Sequence, residues 1–67
     1  MTPYDAYNKI IIRRSPVAVF RIGDEIEVCG ADTEAAKLME RDYPGSFVGV
    51  FRASKLLTFN EFQKEVS

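Results

Sequence analysis

The sequence predicts an α+β fold, in which a three-stranded antiparallel sheet carries a helix before it, a helix in its crossover and a short helix after it. Three observations carry that expectation. Two β-rich runs flank Gly23-Asp24, a hairpin signal. A helix-spaced stretch from Thr33 to Tyr43 leads into the alternating run Phe47–Arg52. Near the end, Thr58 and Glu61 form a T-x-x-E capping box. The order is α-β-β-α-β-α, with a ββαβ core at 17–53 and a capped C-terminal helix at 58–67. At 67 residues the chain is a single domain, 1–67.

The first helix opens on Thr2 as N-cap, with Pro3 at the first helical position and Asp5 where a capping-box acid belongs. Ala6, Tyr7, Ile10 and Ile11 recur at helical spacing, although Ile10-Ile-Ile also suits a strand. Ser15-Pro16 ends the segment, because a residue before proline is biased away from the helical region.

Val17–Ile22 and Ile26–Cys29 then read as two strands. A two-residue Gly23-Asp24 turn pairs Ile22 with Glu25 and sets Glu25 and Glu27 on the same face as Phe20. A three-residue loop, Gly23 to Glu25, pairs Ile22 with Ile26 and Phe20 with Val28, and it places Arg21 opposite Glu27 as a cross-strand ion pair. Segregation of apolar from charged residues favours the three-residue loop, whereas glycine in first position favours the shorter turn.

Gly30-Ala-Asp-Thr forms a strand-to-helix junction with Asp32 or Thr33 as N-cap and Glu34 near the positive helix end. Ala35, Ala36, Leu38, Met39 and Tyr43 supply an apolar stripe, and Pro44-Gly45 stops the helix. Phe47, Gly49 and Phe51 alternate with Val48, Val50 and Arg52. So little polar surface on either face predicts a central or well-covered strand. A crossover to the first strand places the third strand beside it and leaves Glu25, Glu27 and the polar hairpin tip guarding the edge of the second. In the last helix, Leu57 and Phe62 occupy staple positions, and Phe59, Phe62 and Val66 share one side.

Composition narrows the chemistry. Hydrophobic residues at 46% and charged residues at 28% describe a folded chain, not a disordered one. With a single cysteine, Cys29, and no histidine, the sequence holds no intramolecular disulfide, no Ser-His or Cys-His pair and no zinc set. No catalytic, cofactor or metal residues are assigned, and a non-enzymatic protein is expected. No run approaches the roughly 18 apolar residues of a membrane helix, and the start lacks a signal-peptide pattern, so a cytoplasmic protein away from membranes is expected.

Charge is uneven. Residues 1–23 carry Lys9, Arg13, Arg14 and Arg21 against Asp5, a balance of +3. Residues 24–42 carry seven acids against Lys37 and Arg41, a balance of −5. That contrast suits steering of a protein partner, and Arg13, Arg14, Arg21, Glu25 and Glu27 are the candidate partner contacts. A nucleic-acid role through Lys9, Arg13, Arg14, Arg21 and Arg52 is disfavoured by the net charge of −1. Each phenylalanine beside an arginine also alternates with it across the sheet, so ring and guanidinium face opposite ways. The echo V-x-V-F-R at 17–21 and 48–52 sets Phe20/Arg21 and Phe51/Arg52 in comparable positions on neighbouring strands. Cys29, among acidic neighbours, reads as a small structural hydrophobe.

The hairpin, the stretch Ala31-Asp-Thr-Glu-Ala-Ala-Lys-Leu-Met and the stretch Asp42-Tyr-Pro-Gly-Ser-Phe-Val-Gly-Val-Phe-Arg together resemble small ββαβ proteins of bacteriophages. Some podophage inhibitors of host RNA polymerase share this layout and size. The resemblance covers residues 17–53 and leaves out the helix at 58–67, and no functional residue carries over with it. It implies a phage-type effector that binds and inhibits or redirects a host macromolecular machine. The alternatives are a structural or oligomeric assembly component, homo-oligomeric where its apolar strands self-associate, and a weak nucleic-acid binder.

Overall fold

The computed structural model describes Met1–Ser67. Its elements are α1 (Pro3–Ile12), β1 (Val17–Ile22), β2 (Glu25–Gly30), α2 (Glu34–Asp42), β3 (Phe47–Phe51), a 3-10 turn (Ala53–Lys55) and α3 (Phe59–Glu65). The sheet is antiparallel in the order β2-β1-β3, so the predicted α+β architecture stands.

Each helix starts where a hydroxyl satisfies an orphan amide. Thr2 Oγ1 accepts from the Asp5 N–H at 3.1 Å, Thr33 Oγ1 from Ala36 at 3.3 Å and Thr58 Oγ1 from Glu61 at 3.3 Å. At the second junction the cap is thus Thr33; Asp32 takes a left-handed conformation, φ 58°, which aspartate tolerates. The Thr58 hydroxyl also donates to Glu61 Oε1 at 3.0 Å, closing its box side chain to side chain.

The hairpin takes the two-residue turn, not the three-residue loop. Ile22 pairs with Glu25, Arg21 with Ile26 and Phe20 with Glu27. Gly23 alone in the turn has a positive φ, +62°, the mark of a type II′ hairpin whose twist matches the strands. Local turn geometry therefore outweighs segregation of charge. Two consequences follow. Arg21 and Glu27 point to opposite faces and form no ion pair, and Glu27 stands beside Phe20 on a face that water reaches.

The two sheet faces are unequally covered. Val17, Val19 and Ile26 face α1 and α3 and form the core with Ala6, Ile10, Phe62 and Val66. A run of rings ties the layer together: Tyr4 and Tyr7 meet Phe59 edge-on, Tyr7 leans on Phe62, and Phe62 meets Phe51 with centroids 5.2 Å apart. The Tyr7 hydroxyl donates to the Leu57 carbonyl at 2.6 Å, fixing the entry to α3. Of nine buried residues only Ala18 and Phe20 lie outside this cluster, because they point to the second face.

That second face has only α2 for cover. The expected apolar stripe docks lightly: Ala36 and Met39 are half-buried, Ala35, Leu38 and Tyr43 are exposed, and no residue of α2 is fully buried. β3 is correspondingly an edge strand, not the covered one its composition predicts, and Phe47 and Val50 are 45% and 53% exposed. A register shift opposite Val19/Phe20 makes a bulge in β3, which sets Phe47 beside Phe20, ring centroids 5.5 Å apart. The V-x-V-F-R echo is therefore not structural. Phe51 pairs with Val17 on the core face, while Phe20 lies on the other.

Phe62 is the ring on which α1, α3 and β3 converge, and it is fully buried. Phe62→Ala should cost about 3–5 kcal/mol, against about 3–10 kcal/mol for a whole chain of this length. Urea unfolding followed by far-UV circular dichroism should find the variant largely unfolded at room temperature. Thr58→Ala should lose only about 1 kcal/mol. A loss below about 1 kcal/mol for Phe62→Ala would show that this ring is not central.

Candidate functional site

The shortfall of cover on the second face leaves a cleft of about 340 Å³ between α2 and the sheet. Its floor is apolar: Ala18 and Phe20 from β1, Phe47 and Val50 from β3, with Ala36 of α2 as a wall. Its rim is charged by Asp32, Lys37, Glu40 and Arg52. Because Phe47 and Val50 are about half exposed, the cleft opens sideways along β3 rather than enclosing a ligand. Among its lining residues is no hydroxyl or thiol that would act as a nucleophile.

The polarity of the cleft follows from the fold. The Thr33 hydroxyl donates to the Gly30 carbonyl at 2.7 Å, so α2 begins at the end of the sheet where Val17 pairs with Gly30. Its last turn lies at the other end, where Tyr43–Ser46 turn into β3. The Ser46 hydroxyl donates to the Tyr43 carbonyl at 2.7 Å, and Gly45 carries the positive φ, +86°, that the turn requires. Glu40 therefore sits at the Phe47 end. Arg52 sits at the opposite end, since it follows Phe51, which pairs with Val17.

The five candidate contacts do not assemble into one patch. Arg13 caps the end of α1 and, with the exposed Arg14, lies at the Gly30 end of the sheet. Arg21 and Glu25 lie at the hairpin end, both exposed, and Glu27 is half-buried between. The nucleic-acid set is dispersed likewise, with Arg52 on the cleft and Lys9 on α1. The Phe47–Val50 surface was absent from these candidates. Its signal was in the strand order itself, because a third strand placed beside the first is necessarily an edge, and an apolar edge is a contact surface.

Two other features bear on chemistry. Burial chiefly pushes the half-buried Cys29 thiol above its ordinary range; nearby Arg13 and the Thr33 hydroxyl act against this. Such a thiol is a poor nucleophile at neutral pH. No group of three His, Cys, Asp or Glu side chains is placed to hold a metal ion, and no helix is long and apolar enough to cross a membrane. Comparison with known proteins finds no matching family model, no curated protein and no solved structure similar to this chain.

The one long-range ion pair lies at the β2 edge. The Met1 amine donates to Glu25 Oε2 at 2.7 Å and to the Ile26 carbonyl at 3.1 Å. The hydrogen bond to Glu25 is the main reason the amine titrates above its usual 8.0 and the carboxyl below its usual 4.5. A raised amine stabilises the fold below its unfolded value and loses that contribution as pH rises through the folded value. A lowered carboxyl stabilises above its unfolded value and loses that contribution as pH falls through the folded one. In a chain with a free Met1 amine, the contribution should thus be level between 4.5 and 8.0 and decline outside on both sides. Thermal melts should show that Glu25→Gln removes both declines; a profile superimposable on that of the parent would mean the pair is without effect in solution.

Proposed function

We propose that this protein is a non-enzymatic protein-binding module whose contact surface is the α2–β3 cleft with the free β3 edge beside it. One observation carries the proposal: Phe47 and Val50 stand about half exposed on an uncharged edge strand. An apolar centre rimmed by Asp32, Lys37, Glu40 and Arg52 has the composition of a protein interface, desolvated within and polar around. The charged residues at the two ends of the sheet, Arg13, Arg14, Arg21 and Glu25, then serve to steer a partner rather than to anchor it. Glu27, half-buried on the cleft side of β2, belongs to the periphery of the same face.

The resemblance of residues 17–53 to podophage inhibitors of host RNA polymerase directs the search to bacterial host machinery. Inhibition or redirection of such a machine by occupancy of a contact surface requires no chemistry of the bound module, only affinity.

The test is a tagged full-length chain used as bait in a nuclease-treated bacterial lysate read by mass spectrometry. A stoichiometric protein should be retained by the parent and by Glu25→Arg, and lost with Val50→Arg. Retention by Val50→Arg together with loss in Arg13→Glu/Arg14→Glu would move the contact surface to the Gly30 end of the sheet and overturn the assignment of the cleft.

A further inference from the structure

We infer that two copies of this chain associate through β3, edge to edge and antiparallel about Val50, joining their sheets into one of six strands. This rests on the proposal that the β3 face is a contact surface, and it names a second copy as the occupant of the β3 edge, for which a captured host protein would compete.

The backbone supplies the first argument. The Arg21 N–H donates to the Ser46 carbonyl at 2.8 Å, so the odd-numbered residues of β1 turn their polar groups toward β3. In the register Val17↔Phe51 and Val19↔Gly49, residues 51 and 49 turn theirs back, and the Val50 N–H and C=O point out along the free edge. A two-fold axis at Val50 lets each Val50 donate to and accept from its own counterpart, a closed hydrogen-bonded pair. The bulge lies at the Phe47 end and leaves the segment around Val50 and Phe51 regular.

The side chains supply the second. An interface about a two-fold axis must complement itself. Val50 and Phe47 share the cleft face, paired with Ala18 and Phe20, so the axis packs Val50 on Val50 and flanks them with two Phe47 rings. The strand Phe47–Phe51 has no charge to repel its copy. Around it, Arg52 marks one end of the cleft and Glu40 the other. Antiparallel pairing brings Arg52 of each chain to the Glu40 end of its partner, so the rims are also self-complementary.

Two five-residue edges make an interface at the small end of the range, below about 1,200 Å². The dimer is therefore expected to exchange with monomer at micromolar concentrations. Sedimentation equilibrium of the full chain over two decades of concentration should show a monomer–dimer transition, with the Val50 amide protected from hydrogen exchange only at the high end. Val50→Arg, at an exposed position that leaves the core untouched, should weaken association at least about tenfold with an unchanged far-UV spectrum. Glu40→Arg and Arg52→Glu should each weaken it, and the double variant should recover it. A monomer at every concentration, or a dimer indifferent to Val50→Arg, overturns the inference. If the chain stays monomeric while Val50→Arg still abolishes capture of a lysate protein, self-association fails and the contact surface stands. If a dimer persists and capture persists in Val50→Arg, both fail.

Discussion

Everything in this fold follows from β1 being buried on both faces in a chain too short to cover both equally. Four consecutive residues, Val17–Phe20, are shielded from water, two on each side of the sheet. A strand with that requirement needs a layer above and a layer below. Ordering each residue costs roughly 1.5 kcal/mol, so a small chain has few residues with which to build both. Here α1 and α3 cooperate on one face, joined by the Tyr7–Phe62–Phe51 rings, and a single nine-residue helix serves the other.

That imbalance explains why α2 presents alanine rather than bulk. Ala36 forms one wall of the cleft, while the other half-buried residue of the helix, Met39, does not line it. The remaining space is the cleft, and Phe20 is sealed largely by Phe47, a residue that is itself half exposed. The cleft is thus a consequence of fold economy. Its shape and apolar floor are what make it a surface on which another chain gains by docking, since water is displaced from Phe47 and Val50 without any rearrangement of the core.

How much of this was legible in the sequence depended on the range of the interactions involved. Helix starts were legible because a cap is local: Thr2, Thr33 and Thr58 each bond an amide three residues on, and that spacing is visible in the chain. The order of elements was legible because turn residues punctuate it. The hairpin register was not, since the argument from segregated charge assumed a dry second face. Glu27 beside Phe20 is tolerable only because α2 leaves that face wet, a tertiary fact, and Gly23 then decided the turn locally. The status of β3 was misjudged for a related reason. A strand apolar on both sides reads as covered if the only use of apolar surface is the chain's own core, and Phe47 and Val50 exceed what this core can bury. The charged candidates were visible as charges, yet their dispersal to two ends of the sheet appears only when the strands are paired.

The two edges of the sheet make the sharpest argument about what the surface is for. Exposed edges invite pairing with other chains, and proteins blunt those they do not use. The β2 edge is blunted thoroughly. Glu25 and Glu27 lie along it, the Met1 amine occupies the Ile26 carbonyl, and α1 leans against it. At the β3 edge the only deterrent is a bulge, and it lies at the Phe47 end. Around Val50 the strand is regular, uncharged and apolar on its open face. A sheet protected on one edge and left adhesive on the other presents one direction of approach to a partner strand, and the cleft beside that edge gives the incoming side chains a place to rest.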